Sequence, residues 1–333
     1  LRERAYNLRW ATLPPDVIAL TAADPDFAVA EPIRAAIAEY AAGGVFSYGP
    51  AEGLPAFRAA CAQRYSAPGP EWIMIGNGMD ELLALALRSF VDPGDTVVAT
   101  YPTYSLYEVL CALHGAKLAY YDLDDDFQIG EPMFSVKGRL CMLTRPNAPT
   151  GVSATRASVE RFVQGFEGLV LIDEAYVDFA DDSCVDLPQR YENVLVMRTF
   201  SKSFSLAGMR IGTCVARPEL INEFLKTKDS YNMNAVAQVA GLAAMDDYDY
   251  MRASAAKVCK TRAELSAARE IVHLAGVAGS EPRRELFVGV RRPQGADAGQ
   301  IEAQAEGLGL EQCLHGAHCR PPAAHGARAA QRA

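Results

Sequence analysis

No segment of the 333-residue chain holds 18 consecutive apolar residues, so nothing in it reads as a membrane-spanning helix. The opening stretch LRERAYNLRW has no apolar core of the kind a secretory leader needs. It also has no initiating methionine, which reads as a few residues missing at the start. Positive charge is scarce: 32 Lys and Arg stand against 41 Asp and Glu, a formal net charge of -9. Binding a nucleic-acid backbone needs clustered positive charge, so nucleic acid is not an expected partner. The eight cysteines have no framework spacing and read as reduced, mostly buried thiols of a cytoplasmic protein. No internal repeat is present. A Gly-x-Gly-x-x-Gly run after the first strand, which a nicotinamide dinucleotide would need, is missing too. The end of the chain, Gln312–Ala333, lacks Asp and Glu and has almost no periodicity. Its Cys313, His315, His318, Cys319 and His325 are metal-ligand types at short spacing. The reading adopted is an altered or disordered tail, because nothing around it specifies a core, and no metal site is expected.

Half of the residues (50%) are apolar, ample for a large core in two domains. Strands are expected to alternate with helices of roughly ten residues. Glu31–Ala42 reads as a helix with Pro32 in its first turn, and LPAFRAACAQRY, MDELLALALRSF, LYEVLCALHG and SVERFVQGFEG as further helices. TVVA, RLCML, LVLI and NVLVM are nearly continuous apolar runs. Strands of that kind are covered on both faces, which predicts an α/β fold with a parallel or mixed sheet. Glu219 to about Lys260 and Ser266–His273 read as helical, and ELFVGV as a strand of a smaller domain.

Polar groups recur just after the strands, where open α/β sheets bind ligands. In GNGMDE, Gly76–Glu81, glycines precede a helix whose early amides can hold a phosphate; an ordinary strand-to-helix turn is the plainer reading. In RPNAPTG, Asn147 sits in a loop stiffened by two prolines, either as a turn residue or as a donor to a ligand oxygen. In LIDEAYVDF, Asp173 closes an apolar strand; unless it caps a helix it wants a cationic partner, and a protonated pyridine nitrogen would serve. Tyr176, three residues on, can reach an oxygen of the same ligand. In TFSKSFSLAGMRIG, Thr199 and Ser201 supply hydroxyls, Lys202 an amine and Arg210 a fork of donors suited to phosphate. Desolvation or a cationic neighbour can lower a lysine's pKa enough for nucleophilic attack. An amine, a phosphate cup, a carboxylate for a ring nitrogen and two oxygen donors together match pyridoxal 5′-phosphate.

These segments, with YPTY and the later KDSYNMN, resemble the fold-type I pyridoxal-phosphate aminotransferases of class I and II, most of all the histidinol-phosphate aminotransferases. The likeness runs from about Ile73 to Asp247. The resemblance implies a mixed, mostly parallel seven-stranded sheet between helices, with a smaller α/β domain. It divides the chain into an arm and part of the small domain (1–40), a large cofactor-binding domain (41–225), a small C-terminal domain with its linking helix (226–311) and the tail (312–333). It implies that Lys202 holds the cofactor covalently, that Asp173 pairs with the ring nitrogen, and that Asn147 and Tyr176 hold the ring oxygen. Tyr104 would stack on the ring. Met79 and Asp80 would offer backbone amides to the phosphate beside Thr199, Ser201 and Arg210. Tyr48 would reach the phosphate held by a neighbouring subunit, which implies a homodimer with shared sites. By their residue types alone, Tyr48 and Tyr104 read as packing aromatics.

The implied reaction moves an amino group between a donor, histidinol phosphate or an aromatic amino acid, and 2-oxoglutarate. Two segments depart from the pattern. LTAADPDFAVAEP and GGVFSYGP are closer to general aminotransferases or carbon–sulfur lyases, which leaves a lyase or a phospho-amino-acid decarboxylase as alternatives. The family's substrate-carboxylate arginine, in a segment like GLRIxxG, has no counterpart; Arg320 in HCRPP is the nearest candidate. An unclamped carboxylate loses orientation, so reduced or absent transamination with retained cofactor binding is a further expectation.

Overall fold

The computed structural model describes residues 27–276 and 328–329. The expected strand ELFVGV, the segment around LTAADPD, Arg320 and the Cys/His group of the tail lie outside the described residues. Helices α1 (Glu31–Ala42) and α2 (Pro55–Arg64) lead into strand β1 (Ile73–Asn77) and helix α3 (Met79–Phe90). β2 (Thr96–Tyr101), α4 (Leu106–His114), β3 (Lys117–Asp122), β4 (Leu140–Thr144), α5 (Arg156–Gly165) and β5 (Leu169–Asp173) follow. The chain continues as α6 (Leu187–Arg190), β6 (Val194–Thr199), β7 (Ile211–Val215), α7 (Pro218–Thr227), α8 (Ala235–Asp246) and α9 (Tyr248–Gly276).

Local chemistry explains most of these boundaries. Proline stands at the first or second position of α1, α2 and α7, where its missing N–H is not needed. Thr155 caps α5 by accepting from Ser158 N. Gly115, at φ +78°, ends α4 in the left-handed conformation that costs glycine nothing. The helical reading of Glu219 to Lys260 is corrected: α7, α8 and α9 are separate, with a break at 228–234. The Asn234 side chain accepts from Ala237 N at 2.7 Å and starts α8 afresh. Asn, Asp and Ser in DSYNMN compete with helical hydrogen bonds in the same way.

The sheet order is β1-β7-β6-β5-β4-β2-β3, with a two-residue strand β8 (Arg328–Ala329) beside β3. β2, β3, β4, β5 and β6 pair in parallel, while β7 runs antiparallel to both β1 and β6. The sheet is thus mixed and mostly parallel, as the apolar strands and the resemblance implied. Val97 and Ala99 face one cluster, with α3, α4 and α7, while Val98 between them faces a second cluster with α5. Ile73 and Ile75 of β1 join α1, α2, α8 and the start of α9 in a third. Every central strand is therefore covered on both faces, which is why its sequence has no polar alternation. Five of the six described cysteines are buried and all six are free. Among the described residues no helix is long and apolar enough to cross a membrane.

Candidate active site

The parallel strands place their carboxyl ends on one edge of the sheet, and the expected site residues follow those ends. The register sets Thr144 beside Asp173, Asp173 beside Met197, and Thr199 beside Gly212. Residues far apart in sequence are brought to one rim by this pairing alone.

The anion-binding corner lies where β1 turns into α3. Gly78, at φ +83°, is the N-cap and brings no side chain to the helix's first amides, those of Met79 and Asp80. Uncapped amides and the helix dipole favour an anion there. A Cβ on Gly78 would stand 2.5 Å from Arg210 Nη2, so the guanidinium packs directly on this turn. Arg210 reaches it from a left-handed backbone, φ +52°, a conformation costing about 1–3 kcal/mol outside glycine. Its Nη1 donates to Ala207 O at 3.1 Å and its Nη2 lies 3.5 Å from Asp80 Oδ2. Thr199 and Ser201 join their hydroxyls at 3.0 Å and are nearly buried. Amides, two hydroxyls and a guanidinium are donor types suited to a phosphate.

Gly212 is what permits this corner. A Cβ there would lie 2.6 Å from both Gly78 C and Met79 N, which are backbone and cannot move aside cheaply. Gly212→Ala is expected to destabilise the chain by about 1–3 kcal/mol through overpacking. Thermal melting measures it; an unchanged midpoint would show that the strand and the turn can separate freely.

Asp173 ends β5 and is 1% exposed. Its Oδ1 accepts from Ala175 N at 3.0 Å and its Oδ2 from the Tyr107 hydroxyl at 2.7 Å. Burial pushes its carboxyl up to about 6, against the lowering effect of those two hydrogen bonds. The unfolded group titrates at roughly 4. Between these values the folded chain holds a proton that the unfolded chain has released, so this group's contribution to stability is lost as pH rises from about 4 through 6. Asp173→Asn should remove that slope from the stability of the ligand-free chain. Parallel slopes for the two proteins over that range would contradict the burial effect.

The remaining expected residues make contacts of their own. Asn147 accepts from Thr150 through Oδ1 and donates from Nδ2 to Pro102 O at 3.0 Å, tying the RPNAPTG loop to the loop after β2. Buried Arg145 braces the same loop, with Nε donating to Ala154 O at 2.7 Å. Tyr104 reaches Asp80 Oδ1 at 3.4 Å and packs edge-on to Tyr107. Lys202 Nζ stands 5.5 Å from the centroid of the Tyr176 ring. Tyr48 differs: it is 81% exposed and its ring lies 4.3 Å from that of Tyr231, itself 64% exposed. The sequence reading missed Tyr107 and Gly212 as site residues, whereas Gly78 lies in the GNGMDE turn that it singled out. Tyr107 was detectable only as a tyrosine one helical turn beyond Tyr104.

Residues 15–276 match the family model described as aminotransferase class I and II. The chain belongs to the class I and II aminotransferases. It is 44% identical over 198 residues to a histidinol-phosphate aminotransferase of Geotalea uraniireducens, covering 60% of this chain and 57% of that protein. The chain therefore spans well under two thirds of the length of this relative. The crystal structure of a histidinol-phosphate aminotransferase from Sinorhizobium meliloti in complex with pyridoxal-5′-phosphate superposes with a TM-score of 0.69 at 26% identity, over 87% of this chain and 79% of that one. An aspartate aminotransferase from Thermus thermophilus with maleate shares the fold, with a TM-score of 0.73 at 22% identity over 84% of this chain and 77% of that one. The fold-type I architecture implied by the sequence is thereby shown.

Proposed function

We propose that this chain binds pyridoxal 5′-phosphate at the rim formed by β1, β4, β5, β6 and β7, and uses it to transfer amino groups. One observation carries the reading: a nearly inaccessible carboxylate, Asp173, stands on the same sheet edge as Lys202 and as a side-chain-free helix start covered by Arg210. The residues fit the cofactor. Its phosphate suits Met79 N, Asp80 N, Thr199, Ser201 and Arg210, and its cationic ring nitrogen suits Asp173. When bound, the cofactor supplies an electron sink conjugated to the substrate's α-carbon.

The protein's own groups supply the rest. Lys202 would hold the cofactor, and its Nζ would take the substrate's α-proton as general base. Asp173 keeps positive charge on the ring. Asn147 and Tyr176 orient the ring oxygen, and Tyr104 covers the ring face. Tyr48, exposed on this chain, serves the site of a second copy in a homodimer. Histidinol phosphate is the favoured donor, supported by the similar histidinol-phosphate aminotransferases, and 2-oxoglutarate is the proposed acceptor. The large-domain and small-domain division at 225 belongs to the same reading.

A second reading rests on the extent of the family match. All the proposed cofactor-holding residues lie within residues 15–276, whereas the family's substrate-carboxylate arginine segment has no counterpart in the sequence, Arg320 being the nearest candidate. On that reading the chain holds cofactor and turns over poorly. A spectral titration of the cofactor-loaded chain with histidinol phosphate, aromatic amino acids and glutamate separates the two. Formation of pyridoxamine phosphate supports transfer. A cofactor spectrum that no donor changes supports the impaired homologue. Ammonia and pyruvate would mark a lyase, and no cofactor uptake at all would sink both readings.

A further inference from the structure

Behind the proposed site lies a chain of hydroxyls, buried at Tyr107 and Thr144, that the cofactor-holding residues do not include. Tyr107, on the first turn of α4, is fully buried in the cluster between α3, α4 and α7. Its hydroxyl is 2.7 Å from Asp173 Oδ2 and 2.8 Å from Thr144 Oγ1, and Thr144 Oγ1 is 3.1 Å from Thr103 Oγ1. We propose that Tyr107 is a positioning residue for Asp173: it fixes the carboxylate's orientation, and the Thr103–Thr144–Tyr107 chain sets its charge. The inference rests on the functional reading above, in that Asp173 is taken as the group that meets the ring nitrogen.

Proton counting gives the chain its direction. An ionised carboxylate only accepts, so Tyr107 must donate to Asp173. Tyr107 has then spent its one proton and must accept from Thr144, and Thr144 in turn must accept from Thr103. Each donor polarises the next towards the carboxylate. If Asp173 is protonated, the same three hydroxyls can reverse and remain satisfied. No other atom has to move, so the change of charge costs little reorganisation. Tyr107 itself stays neutral, because burial first, and then the Asp173 carboxylate, hold its ionisation well above the usual tyrosine range. The carboxylates of Asp80 on α3 and of Glu174, next to Asp173, oppose its charge. Ala175 N donates to Oδ1. Tyr107 is thus a side chain that offsets burial and two negative neighbours.

The test is the titration of the Asp173 carboxyl by carbon-13 NMR in the full chain without cofactor. Tyr107→Phe keeps the ring and deletes the oxygen. The Asp173 midpoint is expected to rise by about one unit from its value near 6. A merely structural tyrosine would lower the melting temperature and leave that midpoint in place, which would overturn the proposal. Should Tyr107→Phe fail to fold, Thr144→Val is read instead. It removes the donor behind Tyr107 and should move the midpoint up by a few tenths of a unit; no movement overturns the proposal equally. In the cofactor-loaded arm, Tyr107→Phe should bind pyridoxal phosphate about tenfold more weakly, and unchanged affinity would count against it. If the unaltered chain takes up no pyridoxal phosphate, the functional reading fails while the titration still decides the role of Tyr107.

Discussion

Lys202→Ala is expected to leave a folded chain that can no longer be trapped as a covalent adduct. Borohydride reduction of the cofactor-loaded protein should fix pyridoxal phosphate on Lys202 in the unaltered chain and on nothing in the variant. Lys202 stands between Ser201 and Ser203, straight after β6, with its amine 5.5 Å from the Tyr176 ring centroid. It is neither part of a core cluster nor fully buried, so stability should change little. The effect on reaction should be large, because two functions fall together: the covalent hold and the movement of the α-proton. The second alone is worth about 10²–10⁴-fold in rate. Lys202→Arg separates charge from chemistry. It keeps a cation at the position, but a guanidinium stays protonated and cannot act as nucleophile or base. It should therefore be as inactive as alanine. Peptide mapping reads the result, and an adduct found on another lysine, such as the buried Lys228, would move the assignment there.

Glu174→Ala should destabilise the chain by about 3–5 kcal/mol, the cost of leaving a buried charge without its partner. Arg198 and Glu174 lie next to Thr199 and Asp173, so their pair clasps β5 to β6 directly behind the site. Arg198 Nη2 is 2.9 Å and its Nε 3.0 Å from Glu174 Oε2, with side chains 11% and 0% exposed. Glu174 also accepts from Ser183 Oγ and Cys184 N, and the guanidinium packs over the Tyr65 ring at 4.7 Å. For a chain of this size the melting temperature should fall by about 10 °C. The double replacement Glu174→Leu with Arg198→Met should recover a good part of that, since it leaves no isolated charge. A single variant that melts within 2–3 °C of the parent (about 1 kcal/mol) would show that water reaches the pair.

The strands and helices were legible because their signals are local. MDELLALALRSF can bury one face only as a helix, and RLCML or NVLVM can be buried on both faces only as central strands. The candidates Asp173 and Asn147 stood out for a related reason: each is a polar group placed at or just beyond the end of an apolar run. Tyr107 did not, because in LYEVLCALHG it is one more apolar-face residue until Asp173 is known to lie behind it. Glu174 and Arg198 were equally silent, one hidden in LIDEAY and the other in LVMRTF.

The sequence by itself determined most of which segments are strand, helix or turn, and pointed to the candidate site residues, since periodicity, proline, glycine and the cost of buried charge act within a few residues. The tertiary structure alone decided that β7 enters antiparallel between β1 and β6. That insertion sets Gly212 against the α3 turn and lays Arg210 over Gly78. It also decided which donor Asp173 receives. Such pairings join residues some 65 to 135 positions apart. Their free energy exists only once the sheet has closed, so no local pattern in the chain encodes them.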